Sequence, residues 1–160
     1  MYDVSSSEWR DVSANYMVLF TSAGPASVAP AIDFGSELYS PLLGPEWYPA
    51  EQGFRWMPRR ATLRIGNLKT AHPQLYIHGL YPRTKTCADG ALHVSVNGLR
   101  AARIAMPALN DAYTAVVDIP ESAVDKPILE VALEFDRLLT PSDSRDQRQL
   151  GGAFVRMEIR

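Results

Sequence analysis

The segment Glu46-Trp-Tyr-Pro-Ala-Glu-Gln-Gly-Phe-Arg-Trp56 holds the densest set of residues able to do chemistry. Trp47 and Trp56 offer flat apolar faces suited to the C–H side of a pyranose ring. Glu51 and Arg55 offer the bidentate partners that paired hydroxyls require. Two readings compete. In one the loop is an open ligand platform. In the other the indoles plug one end of a sandwich and Glu51 ties to Arg55, because burying large aromatics is what cores do. A second set, Arg64, Gln74, Tyr76, His78, His93, Ser95 and Asn97, alternates with apolar neighbours and would share one polar sheet face if the strands carrying it pair. A solvated face with nothing bound is the competing reading there. The sequence thus nominates Trp47, Trp56 and Tyr76 as stacking platforms and Glu51, Arg55, His78 and Asn97 as hydrogen-bonding groups.

Catalytic and metal-binding arrangements do not assemble. His72, His78 and His93 lack the i, i+4 spacing of a helical metal site and have no cysteine partner arrangement, so no metal and no cofactor are expected. His78 and His93 could meet across strands, but two further zinc ligands cannot be placed. Cys87 lies between Pro82 and Gly90 near the bases Arg83 and Lys85, with no histidine placed to act on it. Glu130 and Glu134 stand four residues apart on one strand, ~13 Å, whereas glycoside hydrolysis wants about 5–9.5 Å. Neither a Gly-x-Ser-x-Gly elbow nor a phosphate-cradling glycine loop occurs. The chain is not expected to be an enzyme.

The elements that must position the nominated residues are strands. In Ile128-Leu-Glu-Val-Ala-Leu-Glu-Phe-Asp136, Leu129, Val131, Leu133 and Phe135 point one way and Glu130, Glu134 and Asp136 the other, a half-buried strand. The same period predicts strands at Tyr16–Thr21, Ile32–Gly35, Ala61–Ile65, Gln74–His78, Leu92–Val96, Leu99–Ile104, Tyr113–Ile119 and Ala153–Ile159. Asn97-Gly98 predicts a type I′ hairpin. Glu121–Asp125 predicts one helical turn. From Glu37 to Pro58 the chain is irregular, broken by Pro41, Gly44, Pro45, Pro49, Gly53 and Pro58, and its aromatics argue for packing. A loop of that length tends to be functional or packed as its own unit. The fold class is all-β, an antiparallel β-sandwich of jelly-roll type, built as one domain over 1–160 with 1–15 as a peripheral arm.

Bulk properties agree with a soluble globular chain: 160 residues, 46% hydrophobic, 21% charged, 12 prolines and 10 glycines. A lone cysteine precludes an internal disulfide. The N-terminus lacks a basic-then-apolar leader, and the best apolar run falls far short of the ~20 residues a membrane helix needs. A cytoplasmic location and no membrane partner are the expectations. Net charge is −2 but uneven, with nine bases and only Asp89 as acid between residues 55 and 103. Either this marks an anion-binding face or strands from other segments neutralise it in the sheets. No nucleic-acid motif is present.

Gly53-Phe-Arg-Trp56 with Trp47 and Glu51 upstream, then Ala61–Ile65, Val94–Gly98, Glu134-Phe-Asp-Arg137 and Asp146-Gln-Arg-Gln-Leu-Gly151 follow an order with a family likeness. The pattern, over roughly residues 32–160, resembles the β-sandwich accessory domains of bacterial glycosyltransferases and exopolysaccharide proteins, which look like carbohydrate-binding jelly rolls. The resemblance maps the Trp–Glu–Arg–Trp loop onto Trp47, Glu51, Arg55 and Trp56, and the return segment onto Asp146, Arg148, Leu150 and Gly151. It implies a non-catalytic module that recognises a glycan by aromatic stacking and polar contacts. The alternative is a structural or protein-interaction sandwich accessory to a glycan-processing enzyme, with a protein partner such as a glycosyltransferase.

Overall fold

A computed structural model describes residues 28–82, 90–107, 112–141 and 145–160. The strand expected at Tyr16–Thr21, the N-terminal arm and Cys87 lie outside the described residues. Among the described residues, nine strands form two antiparallel sheets. In the five-stranded sheet, β9 (Gly152–Ile159) runs beside β4 (Gln74–Leu80), which pairs in turn with β7 (Ala112–Asp118). Along the other edge of β9 lie two short strands in tandem, β1 (Ala31–Asp33) and β2 (Arg55–Met57). The four-stranded sheet has the order β3 (Arg60–Gly66), β8 (Ile128–Phe135), β5 (Ala91–Val96), β6 (Leu99–Ala105). One helical turn, α1 (Glu121–Val124), follows β7. No helix among the described residues is long and apolar enough to cross a membrane.

Alternation decides which way each strand faces. On β8, Leu129, Val131, Leu133 and Phe135 are buried, whereas Glu130 and Glu134 are exposed. Leu75, Ile77, Phe154, Met157 and Ile159 meet them from the five-stranded sheet. Each such side chain contributes about 1.5–3 kcal/mol relative to exposure. Phe135 joins the layers at the core centre, stacked on Tyr81 at 5.4 Å and tilted toward Phe154 at 6.2 Å. Strict period two fails on β9. A register shift opposite His78 and Gly79 leaves Val155 as an extra residue, so Phe154 and Met157 both face the core while Arg156 faces out.

The β5–β6 turn forms as expected, with φ of 48° at Asn97 and 81° at Gly98. Asn97 also clamps β8: its N–H donates to Glu130 O, and its Oδ1 accepts from Glu130 N–H, both at 2.8 Å. The proline-rich stretch after β1 is packed. A 3₁₀ helix at Glu37–Leu42 starts on Ser36, whose Oγ accepts from Leu38 N–H. The chain then docks on β3 through a bridge between Leu43 and Leu63 and the bond from Gly44 N–H to Thr62 O, 2.8 Å. A tight turn with Gly53 at φ 82° leads into β2.

Candidate functional site

Four nominated residues lie in the loop before β2 and in β2 itself, and two of them are structural. Trp47 is only 9% exposed. It sits 4.9 Å from Phe34 and 5.5 Å, edge-on, from Phe154, with its Nε1–H donating to Thr62 O at 2.7 Å. Its indole closes one end of the core and has no face to offer a ligand. Arg55 points inward from β2 and is 4% exposed. Its Nε donates to Phe34 O, and its Nη2 reaches Ser40 Oγ and Glu37 Oε2 at 3.1 Å. The Ser40 hydroxyl, the Ala50 N–H and Arg55 together hold the Glu37 carboxyl below its usual range.

Glu51 does not pair with Arg55. It accepts from Arg148 Nη1 at 2.8 Å, while Arg148 also binds Asp146 through Nε and Nη2 and lies 5.4 Å over the Tyr48 ring. Asp146 accepts from the Arg148 side chain and backbone, which depresses its pKa; the same contacts, with Glu51, raise that of Arg148. Trp56 is the indole left at the surface, half-buried and set edge-to-face with Phe54 at 5.9 Å.

The single polar face expected from the sequence is divided by the core. Gln74, Tyr76 and His78 belong to the five-stranded sheet, whereas Arg64, His93 and Ser95 face outward from the four-stranded one, with Asn97 in its hairpin turn. His78 and His93 therefore stand on opposite sides of the sandwich and do not meet. Strands β4 and β5 are consecutive in sequence but lie in different sheets, and strand patterning carries no information on that choice. On the five-stranded sheet the polar groups are bonded to one another. Arg160 lies 4.5 Å over the Tyr76 ring, and Tyr76 Oη donates to Gln74, which donates to Asp118. Glu158 binds both Arg156 and Arg160, and His78 Nδ1 meets Thr114 Oγ1 at 3.0 Å. The Arg156 bond, above all, lowers the Glu158 pKa.

The outer face of the four-stranded sheet differs. Register places Arg64 opposite Glu130, Thr62 opposite Ala132 and Arg60 opposite Glu134. Leu42, Leu43 and Gly44, at the end of the 3₁₀ helix, rise beside β3 and wall a groove of about 460 Å³ whose lining includes Arg60, Thr62, Arg64, Glu130 and Ala132. Ala132 leaves a low floor between charged neighbours. Thr62 Oγ1 donates toward the Glu46 carboxylate at 3.2 Å. By contrast, the side chains of Arg60, Arg64 and Glu130 make no hydrogen bond or ion pair among the described residues. Three strong polar groups with open valences thus line an indentation that also has an apolar wall. Alternation in the sequence placed Arg64 and Glu130 outward. What it lacked was the β3–β8 pairing that brings them together.

No family model matches the sequence, and no curated protein matches it. Among solved structures, the chain is similar to part of a family GH115 4-O-methyl-α-glucuronidase with specificity for decorated arabinogalactans. The TM-score is 0.54 at 12% identity, over 84% of this chain and 18% of that one. It is also similar to part of the exo-β-1,3-galactanase of Phanerochaete chrysosporium, with a TM-score of 0.51 at 12% identity, over 84% and 30% of the two chains. A family 35 carbohydrate-binding module from an environmental isolate superposes with a TM-score of 0.46 at 14% identity, over 84% of each chain. The chain spans less than a third of either enzyme. The two enzyme matches establish the shared β-sandwich fold.

Proposed function

We propose that this protein is a non-catalytic carbohydrate-binding sandwich that takes a sugar in the groove between the Leu42–Gly44 wall and the β3–β8 face. The observation that carries the reading is the set of uncommitted groups: Arg60, Arg64 and Glu130 around about 460 Å³ of indentation. A sugar ring presents hydroxyls that both donate and accept, plus an apolar C–H face. A guanidinium donates to two oxygens, a carboxylate accepts from hydroxyls, and Leu42 and Leu43 supply the apolar side. Recognition here rests on polar contacts and an aliphatic wall, with Trp56 as a separate surface aromatic. Glu130 and Glu134 stand ~13 Å apart along β8, which serves binding and not glycoside cleavage.

Calorimetric titration with arabinogalactan and β-1,3-galactotriose, probes taken from what the two enzymes act on or were crystallised with, tests the reading. Arg64→Ala and Glu130→Ala each remove a charge-assisted hydrogen bond worth about 1.5–3 kcal/mol, an affinity loss of about tenfold or more. Trp56→Ala leaves binding unchanged. The reverse pattern moves the site to the Trp56 loop. No binding to any glycan, with melting temperature intact, removes the reading in favour of a sandwich that docks to a protein.

A further inference from the structure

Among the described residues, every sheet edge but one is shielded. β1 and β2 are three residues each, and β3 is covered by the Leu43 bridge and by the bonds of Gly44 N–H to Thr62 O and Gly66 N–H to Ala29 O. β6 carries Arg100 and Arg103 and a bulge opposite Val94 and Ser95. Short strands, covering loops, charges and bulges are what keep an edge from pairing with another chain. β7 has none of these. Its seven residues, Ala-Tyr-Thr-Ala-Val-Val-Asp, pair with β4 without a register shift, hold no proline or cation, and carry their one charge at the last position. No strand lies beyond β7 among the described residues.

The bonding pattern fixes which groups that edge presents. Gln74 exchanges both backbone bonds with Arg160, at 2.9 and 3.0 Å, so its backbone faces β9, and that of Asp118 opposite it turns away from β4. Ile119, the next residue, turns back and donates to Pro73 O at 3.3 Å. Period two turns Val116, Thr114 and Ala112 outward with Asp118, each presenting an N–H and a C=O to the open side. Val116 also carries an apolar side chain that is 48% exposed. We infer that β7 pairs with β7 of a second copy of this chain, antiparallel about a twofold axis at Ala115. That register sets Thr114 opposite Val116 of the second copy and Ala112 opposite its Asp118, so the outward residues of both strands exchange N–H and C=O. Threonine and valine make a favourable cross-strand pair. The two Asp118 carboxylates end ~20 Å apart, too far to repel in salt. One strand pair buries less than the ~1,200–2,000 Å² of a stable interface, so the dimer is reversible. Its twofold axis runs normal to the sheet and turns the outer faces of both four-stranded sheets to one side. The pairing stands on the β7 backbone and is independent of the carbohydrate reading.

The test is analytical ultracentrifugation of the whole chain from micromolar to millimolar concentration, with amide hydrogen exchange followed by nuclear magnetic resonance at both ends of the range. Mass rises reversibly from 17.7 kDa toward twice that value and stops there. Exchange at the Thr114 and Val116 amides slows as the dimer fills. Val116→Lys sets two ammonium groups within ~9 Å across the axis and weakens association about tenfold or more. Thr114→Lys, from the position opposite, does the same. Leu99→Lys, which removes another exposed apolar side chain, on β6, changes neither mass nor exchange. A monomer throughout the range overturns the pairing. A dimer whose Thr114 and Val116 amides exchange as fast as in the monomer, or one that Leu99→Lys dissolves instead, moves the contact off β7 and overturns it equally. Growth beyond the dimer overturns the closed twofold arrangement.

Discussion

Trp47 and Trp56 stand nine residues apart with opposite fates, and truncating each measures the difference. Trp47 is 9% exposed, packs against Phe34 and Phe154, and donates to Thr62 O. Trp47→Ala removes a buried ring and leaves a cavity, which costs about 3–5 kcal/mol. That is a large part of the 5–15 kcal/mol a domain of this kind has in all. The lost hydrogen bond adds little, because Thr62 O still accepts from Gly44 N–H at 2.8 Å. Trp47→Phe keeps most of the ring and gives up that bond with part of the volume, so it costs about 1–2 kcal/mol. Trp56 is half-buried, with Phe54 edge-on beside it and Tyr48 N–H bonded to its carbonyl, a contact the substitution retains. Trp56→Ala therefore costs about 1 kcal/mol. Urea unfolding followed by far-ultraviolet circular dichroism gives all three values at one protein concentration. A Trp47→Ala cost below that of Trp56→Ala would refute the assignment of Trp47 as the core plug and return it to the ligand surface.

Glu158 is held below its ordinary value of 4.5, first by the Arg156 hydrogen bond. A depressed carboxylate contributes stability that is fully present above about pH 4.5 and is lost as the pH falls toward the folded-state value. Unfolding midpoints measured from pH 6 down to 3 (the span over which a carboxylate titrates) therefore fall, and Glu158→Gln makes the decline shallower; an unchanged slope would count against the pairing. Asn97 has φ 48° and lends Oδ1 to Glu130 N–H. Asn97→Gly keeps the turn geometry and loses the bond, for about 1 kcal/mol, whereas Asn97→Ala adds a left-handed alanine and costs about 1 kcal/mol more. Equal losses in urea melts would show that the turn does not depend on its φ.

Strands were legible because their information is local. Alternation over Ile128–Phe135 alone names the four core residues of β8, and Asn97-Gly98 names the turn between β5 and β6. Pairing between distant strands was not legible, and the proposed binding surface depends on it. Arg64 and Glu130 are 66 positions apart in sequence, and nothing in either segment encodes that they face each other. The same gap explains the misplacement of Tyr76 and His78 beside Asn97. Trp47 and Arg55 failed differently. Aromatic and charged residues crowded into one loop suit a ligand platform and a packed plug equally well, and only burial separates them. The uneven charge along the chain is evened out by the fold: β3 and β6 put Arg60, Arg64, Arg100 and Arg103 on one face, and Glu46, Glu130, Glu134 and Asp136 meet them there.

The extent of internal bonding is the reason for preferring one face over the other. A polar group already bonded within the protein gains little from a ligand, because binding must first break the internal contact. Around Tyr76 such contacts are dense: Arg160 covers the ring, and Gln74, Asp118, Glu158 and Arg156 are all engaged. Arg60, Arg64 and Glu130 have no side-chain contact to break among the described residues, so a ligand at the proposed groove would displace only water. Rigidity follows the same division. The backbone beneath Glu130 is clamped by Asn97 on one side and paired with Arg64 on the other, so the three groups project from a fixed floor. A surface with open valences on fixed backbone loses less entropy on binding than one that must first unmake its own network. The four-stranded sheet is therefore the face on which we propose the ligand.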